Sequence, residues 1–294
     1  MSASIRPGYV LADRYRLEDL LDESRGARFW RARDRVLARH VAVHVISSDD
    51  ERAEGLLAAA RRSAAVPDRR FLRVLDAAEQ DGWCYVVNEW GAGTSLDIMV
   101  SGEGPLEPRR AAWITSEVAA AVSAAHDAGV SHGRLAAENV LLDHQGSVRV
   151  IGLAVDAALH GLPPGRRSTD VVDLAAILYA GLTARWAGVS HSLLPPAPVE
   201  AGRVLRPRQV RAGIPRPLDA LCEDVLGASA ALRRPRHGFD LSTARGVADY
   251  LRAFVGDPSG VALPAHGAVP VFHPDLPSTA PTPPDPAPST SAEA

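Results

Sequence analysis

The stretch AHDAGVSHGRLAAENVLL occupies residues 125–142 and marks a change in the character of the chain. It ends a helix-patterned segment, Pro108 to Gly129, in which Ala, Val and Ile recur at the spacing of about 3.6 residues that places them on one face. The stretch ends with the apolar run 139–142, which is followed by turn residues 143–146 and a second apolar run, 147–151. Two short apolar runs around such a turn predict a small β-hairpin directly after a long helix.

N-terminal to this stretch, short β-patterned runs alternate with turns. One helical segment, residues 51–65, interrupts them, and its acidic start and arginine-rich end suit the helix dipole. C-terminal to the stretch, helical patterns follow at 170–183, 217–226 and 242–254. Five runs rich in Val, Leu and aromatic residues predict a five-stranded sheet: 14–21, 28–32, 41–46, 71–77 and 83–90. A β-rich lobe joined through Gly91-Ala92-Gly93 to a helical lobe is an α+β, bilobal architecture.

These patterns divide the chain into four parts. Residues 1–13 are predicted to be an N-terminal extension, residues 14–90 the β-rich lobe and residues 91–256 the helical lobe. From 257 to 294, prolines recur among Ser, Thr and Ala. A segment of that composition cannot bury enough apolar surface to offset the entropy of ordering it, so a disordered Pro/Ser/Thr-rich tail is expected.

All 32 basic residues are arginines, and the chain contains no lysine. With a net charge of −3 and arginines scattered among acids, no basic stripe is present, and we expect no nucleic-acid partner. Cys84 and Cys222 lie in apolar runs and are typical of buried thiols in a reducing compartment, which predicts a cytoplasmic location. The longest apolar run, around 174–182, is too short to span a bilayer, so we expect no direct membrane insertion of the 294 residues.

Landmarks in the same order over residues 14–255 resemble a bacterial Ser/Thr protein kinase domain, close to the actinobacterial receptor-kinase type. RYRL (14–17) resembles the opening strand, and YVVNEW (85–90) resembles the hinge strand. AHDAGVSH (125–132) resembles the approach to the catalytic loop, and ENVLL (138–142) resembles the end of that loop. DVVDL (170–174) resembles the buried helix of the large lobe. The resemblance implies a kinase-like fold. It also implies that Asp170 is a buried acceptor for backbone amides of the catalytic loop.

The same resemblance identifies the positions that carry phosphoryl-transfer chemistry, and most hold the wrong residue type. In the glycine-rich loop, the three glycine positions hold Asp22, Ser24 and Ala27, so backbone amides lose their close approach to phosphates. Gly26 remains but is out of register, and Glu23 adds a second acid where phosphates would lie. We therefore expect no bound nucleotide or other cofactor at this loop.

Three further positions are replaced. The strand VAVHVI (41–46) resembles V-A-I-K, so the phosphate-binding lysine becomes His44, mostly uncharged at neutral pH and expected to pack between strand and helix. The loop HGRLAAEN (132–139) puts Arg134, which cannot act as a base, at the catalytic aspartate position. Gly152 replaces the metal-binding aspartate of D-F-G. Asn139 is retained, and we expect it to cap the loop rather than hold a metal.

The interval between Gly152 and Asp170 is too short for a full activation segment and contains no A-P-E motif. Arg234 resembles an arginine that lies near the end of the family's domain and pairs with a glutamate. Because the A-P-E motif is absent, Arg234 lacks this usual glutamate partner. Three functions stay open: a pseudokinase acting as a regulatory or scaffolding module, an atypical active Ser/Thr protein kinase that uses Asn139 and nearby carboxylates, and an anion sensor in which Arg134 and His44 hold a phosphorylated ligand.

Within its family, the chain resembles the pseudokinases that accompany the actinobacterial lipid II flippase in cell-wall synthesis. That resemblance implies two partners, a forkhead-associated domain protein and an active Ser/Thr kinase, and recruitment to the inner face of the membrane by a partner. In the tail, Asp285 follows Thr282 by three residues, a spacing like the one that forkhead-associated domains favour after phosphothreonine. Thr282, or failing that Thr279, is the candidate phosphoacceptor.

Overall fold

The computed structural model describes residues 5–227 and 238–261. Arg234, the two candidate phosphoacceptors Thr279 and Thr282, and the predicted tail beyond residue 261 lie outside these residues. The first residues of the predicted tail are described: Val261 is buried, and its amide donates to the carbonyl of Pro258 at 3.1 Å. The packed chain therefore continues to residue 261 rather than ending at 256.

The N-terminal lobe contains an antiparallel sheet of six strands with the order β1-β2-β3-β4-β6-β5. Its strands are β1 (Val10–Leu11), β2 (Tyr15–Ser24), β3 (Ala27–Asp34), β4 (Arg39–Ser47), β5 (Val74–Gln80) and β6 (Trp83–Glu89). The five predicted strands are confirmed. The sixth is β1, which pairs along the free edge of β2.

Part of the predicted N-terminal extension, residues 1–13, packs onto the sheet lobe through this pairing. Leu11 and Ile5 are buried with Tyr15 and Trp30 in the core of the sheet lobe, because these apolar side chains cover the sheet face that α1 leaves open. The opposite face takes the predicted helix, α1 (Ala53–Ala64). Leu56 of α1 packs there against residues of β4 and β6.

The C-terminal lobe is mostly helical. Its helices are α2 (Leu96–Gly102), α3 (Pro108–Asp127), α4 (Val155–Leu159), α5 (Arg167–Thr183), α6 (Pro207–Val210), α7 (Arg216–Leu226) and α8 (Ala244–Val255). The start of α3 follows from Pro108 at its first position and from Glu107, whose side chain accepts a hydrogen bond from the Arg110 amide. Helix α5 is buried on nearly every side and contacts α3, α7 and α8, so it is the central helix of this lobe.

Short strands connect the lobes. The predicted hairpin is confirmed as β8 (Val140–Leu142) and β9 (Val148–Val150), and β7 (Thr94–Ser95) adds a third strand to it. Val150 also exchanges backbone hydrogen bonds with residues 70 and 72, which tie this small sheet to the chain leading into β5. A separate hairpin is formed by β10 (Val199–Glu200) and β11 (Arg203–Val204). Within the part of the chain that the structure describes, no helix has both the length and the apolar character needed to cross a bilayer.

Candidate functional site

The β2–β3 hairpin carries Asp22, Ser24 and Ala27, the residues predicted to replace the loop glycines. Ser24 pairs with Ala27, so only Arg25 and Gly26 form the turn, and both have positive φ, 49° and 77°. Positive φ at both central residues is the geometry of a type I′ hairpin turn, which matches strand twist. Asp22 is exposed near the end of β2, and no pair of backbone glycines is left here to approach a phosphate.

His44 lies on β4, where its ring stacks on Phe29 of β3 at a centroid distance of 4.4 Å. The ring partner of His44 belongs to the neighbouring strand, and the packing of His44 between strand and helix stays a prediction. Burial lowers the pKa of His44 to about 4, against the opposing effects of Asp156 and Asp22. The imidazole is uncharged at neutral pH and cannot supply the positive charge that a nucleotide phosphate needs.

Arg134 forms an ion pair that the sequence did not indicate. Its Nη1 donates to Oδ2 of Asp156 at 2.9 Å, and each side chain keeps only 18% of its surface exposed. Asn139 joins the same carboxylate, because its Nδ2 donates to Asp156 Oδ2 at 3.1 Å while its Oδ1 accepts from the Ala136 amide at 2.8 Å. Asn139 thus caps the loop, as predicted, and also contacts Asp156.

Gly152 provides the room for this arrangement. It has φ +83°, and a Cβ added there would lie 2.9 Å from Cβ of Asp156 and 3.4 Å from Nδ2 of Asn139. Asp156 comes from α4, one helical turn after Gly152, and its amide donates to the Gly152 carbonyl at 2.9 Å. The side-chain volume that Gly152 lacks is therefore taken by a carboxylate four residues further along the chain.

The side chains around Asp156 outweigh burial in setting the pKa of its carboxyl group. Burial alone would raise its pKa, but the charge of Arg134, with smaller contributions from His132, Asn139 and His160, outweighs burial, so the pKa of Asp156 is lowered. The carboxylate is ionised and already engaged by a guanidinium and an amide. A cation would compete with Arg134 for it, and the described residues contain no group of three or more His, Cys, Asp or Glu side chains placed to hold a metal ion.

The predicted role of Asp170 is confirmed. Its side chain is fully buried at the start of α5, Oδ2 accepts from the His132 amide at 2.8 Å, and Oδ1 accepts from the Gly133 amide at 2.7 Å. Nε2 of His126 lies 2.8 Å from Oδ2. One carboxylate therefore anchors the loop that carries Arg134 to the central helix.

The short segment between Gly152 and α5 packs onto the loop. Ser131 Oγ accepts from the amides of Gly165 and Arg166, both at 3.1 Å, and Arg166 Nη1 donates to the Gly133 carbonyl at 2.8 Å. Leu159 of α4 is buried in a cluster with α1, the helix that flanks the cleft. The segment is thus a compact cover over the cleft side of the loop.

Arg52, just before α1, links this cover to the β2–β3 turn. Its Nη1 donates to the Leu159 carbonyl and its Nη2 to the Arg25 carbonyl, both at 2.6 Å. Asp50 holds the guanidinium through Nε and Nη2 at 2.8 and 2.6 Å. Nothing in the sequence around Arg52 indicated this link, because its acceptors are backbone carbonyls distant along the chain.

The structure thus gathers His44, Arg134, Asn139 and Gly152 around Asp156, while Asp22, Ser24 and Ala27 lie on the hairpin above. Asp156 is the site residue that sequence reasoning missed. A signal existed, since an acid one helical turn after a missing acid points toward the same space. It required knowing that a helix starts at Val155, which the sequence did not predict.

Comparisons with known proteins find similarity to protein kinases. A family model described as a protein kinase domain matches residues 28–162. Serine/threonine-protein kinase PrkC of Bacillus subtilis is 24% identical over 204 residues, which cover 60% of this chain and 32% of PrkC. Serine/threonine-protein kinase PknA of Mycobacterium tuberculosis is 33% identical over 168 residues, covering 53% of this chain and 39% of PknA. The chain thus spans about a third of the length of these relatives.

A crystal structure of Rad53 residues 1–466 in complex with AMP-PNP matches with a TM-score of 0.60 and 16% identity, covering 80% of this chain and 64% of that one. At that identity the likeness shows the fold alone. The curled sheet lobe, the helical lobe and this structural match show that the chain has the protein kinase fold, and residues 28–162 are similar to the protein kinase domain family.

Proposed function

We propose that this domain is a pseudokinase, a catalytically inactive kinase-like module that acts as a regulatory or scaffolding binding partner. The observation that carries the proposal is the Arg134–Asp156 ion pair with Asn139 at its side. Where the resemblance implies a catalytic base and a metal-binding carboxylate, a cation and an already engaged carboxylate occupy the space. Removal of single catalytic groups commonly costs about 3 kcal/mol or more in the barrier, so joint replacement leaves little catalysis.

Two other features support the same proposal. His44 is uncharged because burial lowers its pKa to about 4, so it does not stand in for lysine. The β2–β3 turn is a tight two-residue turn beside the exposed acids Asp22 and Glu23, of which Glu23 is paired with Arg28. These features also weigh against an anion sensor built on Arg134 and His44, because Arg134 already has its anion in Asp156.

The test is phosphoryl transfer with the purified chain. Labelled ATP with Mg²⁺ or Mn²⁺, and generic or cell-wall protein substrates, should give only background, beside an active bacterial Ser/Thr kinase as positive control. A thermal-shift series with millimolar Mg-ATP should leave the melting temperature unchanged, because stabilisation requires binding to the folded state. Turnover that Asn139→Ala abolishes would overturn the proposal, since a contaminating kinase would not respond to that substitution.

An atypical active kinase is the second candidate, and Asp156 is the observation in its favour. It returns a carboxylate to the neighbourhood of Asn139, although from α4 rather than from the position of Gly152. If the domain is an atypical active kinase, Asp156→Asn should abolish the Mg-dependent rise in melting temperature that ATP causes. Asp22→Asn should leave that rise unchanged. Absence of any ATP response in the unmodified protein removes this candidate without further variants.

For partners, we propose that an active Ser/Thr kinase phosphorylates Thr282, or failing that Thr279, and that a forkhead-associated domain protein then binds. The support is the proline-rich composition and the acid three residues after Thr282. Such a partner would bring the domain to the inner face of the membrane in cell-wall synthesis. Phosphorylation by an active kinase followed by mass spectrometry tests it, and partner binding that survives deletion of residues 262–294 contradicts it.

A further inference from the structure

A cavity of about 320 Å³ lies beside the hinge, outside the cluster around Asp156. It is bounded by the start of β4, the end of β6 and the turn between β8 and β9. Leu72 and Trp90 are its large apolar lining residues. The remaining lining residues are Arg39, His40, Glu89, Gly91, Ala92, Asp143 and Arg149. A cavity of this size and mixed lining is at the small end of ligand-binding sites in proteins.

The carboxylates of this cavity are already satisfied. Glu89 accepts three hydrogen bonds from Arg73: from its amide at 3.1 Å, from Nε at 2.9 Å and from Nη2 at 2.7 Å. Burial raises the pKa of Glu89, but Arg73 and then Arg149 outweigh it, so the pKa is lowered and the group is ionised. Asp143 Oδ1 accepts from the amides of Gln145 and Ser147 at 2.9 and 2.8 Å, as a turn residue.

The two guanidinium groups, in contrast, have poor partners. Arg149 Nη2 lies 3.4 Å from Glu89, whose bonds from Arg73 are shorter. Arg39 Nε lies 3.8 Å from Asp34, which already holds Arg14 by bonds of 3.0 and 2.8 Å. Among the described residues, Nε of Arg39 and Nε of Arg149 are buried without a hydrogen-bond partner. The cavity therefore offers hydrogen-bond donors that have no partner among the described residues, and few free acceptors.

We propose that this hinge cavity binds a carboxylate or a phosphate monoester carried on a flat apolar group. A planar guanidinium fork matches the oxygens of either anion, and two arginines line this cavity. Trp90 and Leu72 offer apolar contact for a single ring, and the volume is too small for a nucleotide or an extended peptide. The site shares no residue with the cluster around Asp156, so it does not depend on whether the domain transfers phosphate.

Four probes separate the parts of this proposal when added to the full chain and followed by ligand-observed NMR and calorimetry. Phenyl phosphate and phenylacetate carry both the anion and the ring and distinguish phosphate from carboxylate. Inorganic phosphate lacks the ring, and benzyl alcohol lacks the charge. We expect saturable binding of at least one of the first two, with a dissociation constant on the order of 1–10 mM for a ligand of this size. Inorganic phosphate and benzyl alcohol should each bind roughly tenfold more weakly.

Matched variants place the binding. Arg149→Gln and Arg39→Gln should each weaken it roughly tenfold or more, and Ala92→Phe should block the cavity without removing a charge. Arg16→Gln is the control, because Arg16 is an exposed arginine on β2 that does not line the cavity. Circular dichroism and thermal melting confirm that each variant is folded.

Three outcomes would overturn the proposal: no saturable binding of either aromatic anion to the unmodified chain, equal weakening by Arg16→Gln and Arg149→Gln, or benzyl alcohol binding as tightly as the anions. Unchanged binding in folded Ala92→Phe also places the ligand elsewhere and ends the assignment to this cavity.

Discussion

Replacing Asp156 with alanine should destabilise the fold by about 2–3 kcal/mol. Removing one partner of a buried ion pair costs roughly 3–5 kcal/mol because the remaining charge loses its compensation. Arg134 and Asp156 each keep 18% of their side-chain surface exposed, so water can solvate part of the guanidinium, and the cost falls to or just below the lower end of that range. The hydrogen bond from Asn139 is lost in the same variant.

A double-mutant cycle measures this pair directly by urea unfolding. Arg134→Met removes the guanidinium and keeps the hydrogen bond from Asn139 to Asp156. Arg134→Met combined with Asp156→Ala should cost less than the two single substitutions added together, by about 1–2 kcal/mol. The pH dependence gives a second check. Because the pKa of Asp156 is lowered on folding, its contribution is full above its unfolded pKa and disappears as pH falls through the folded pKa.

The assay has a clear negative result. If Asp156→Ala costs less than about 0.5 kcal/mol, the range of ordinary surface substitutions, and the cycle shows no coupling, then Arg134 and Asp156 do not form a compensating pair. The reasoning that the site is closed by that pair fails with it. Glu54→Ala is the matched control, since Glu54 is an exposed acid on α1 and should be nearly neutral.

Three further predictions concern stability and use the same unfolding assay. Gly152→Ala should cost about 1–3 kcal/mol because of φ +83° and the crowding by Asp156, whereas Gly55→Ala, in open space on α1, should be neutral or stabilising; equal effects contradict this. Asp170→Asn should cost about 2–3 kcal/mol through loss of one acceptor for a buried amide, and a change below 1 kcal/mol would be incompatible with the anchor. The hydrogen bonds from Arg14 lower the pKa of Asp34 to about 2, so the destabilisation by Asp34→Asn should be full above pH 4 and shrink toward pH 2; a pH-independent effect rules this out.

Asp170 illustrates what the sequence could predict about the site. An acid at the start of a long apolar helix, in register with a resemblance to a known family, was enough to assign it as an acceptor for loop amides. The prediction held because α5 is buried on nearly every side, and a buried carboxyl group there needs hydrogen-bond donors close by. The two amides of the loop are the donors that the fold supplies.

Asp156 illustrates what the sequence could not predict. The sequence places no carboxylate at Gly152, but in the structure the carboxylate of Asp156 lies next to that glycine. Ala154 adopts φ +59° directly before α4, a conformation that an alanine rarely takes and that no local pattern indicates. Because the backbone turns at Ala154, α4 begins at Val155 and Asp156 lies next to Gly152.

The sequence by itself determined the order of the five longer strands and the long helices, the two lobes and the residue types at the cleft, because periodicity and residue identity are local properties of the chain. Only the tertiary structure decided what those residue types contact. Arg134 and Asp156 are 22 positions apart, and Arg52 reaches carbonyls 27 and 107 positions away. Such contacts depend on where whole elements pack. The free energy of that packing comes from many apolar contacts, so it cannot be inferred from the few residues that form the polar contacts.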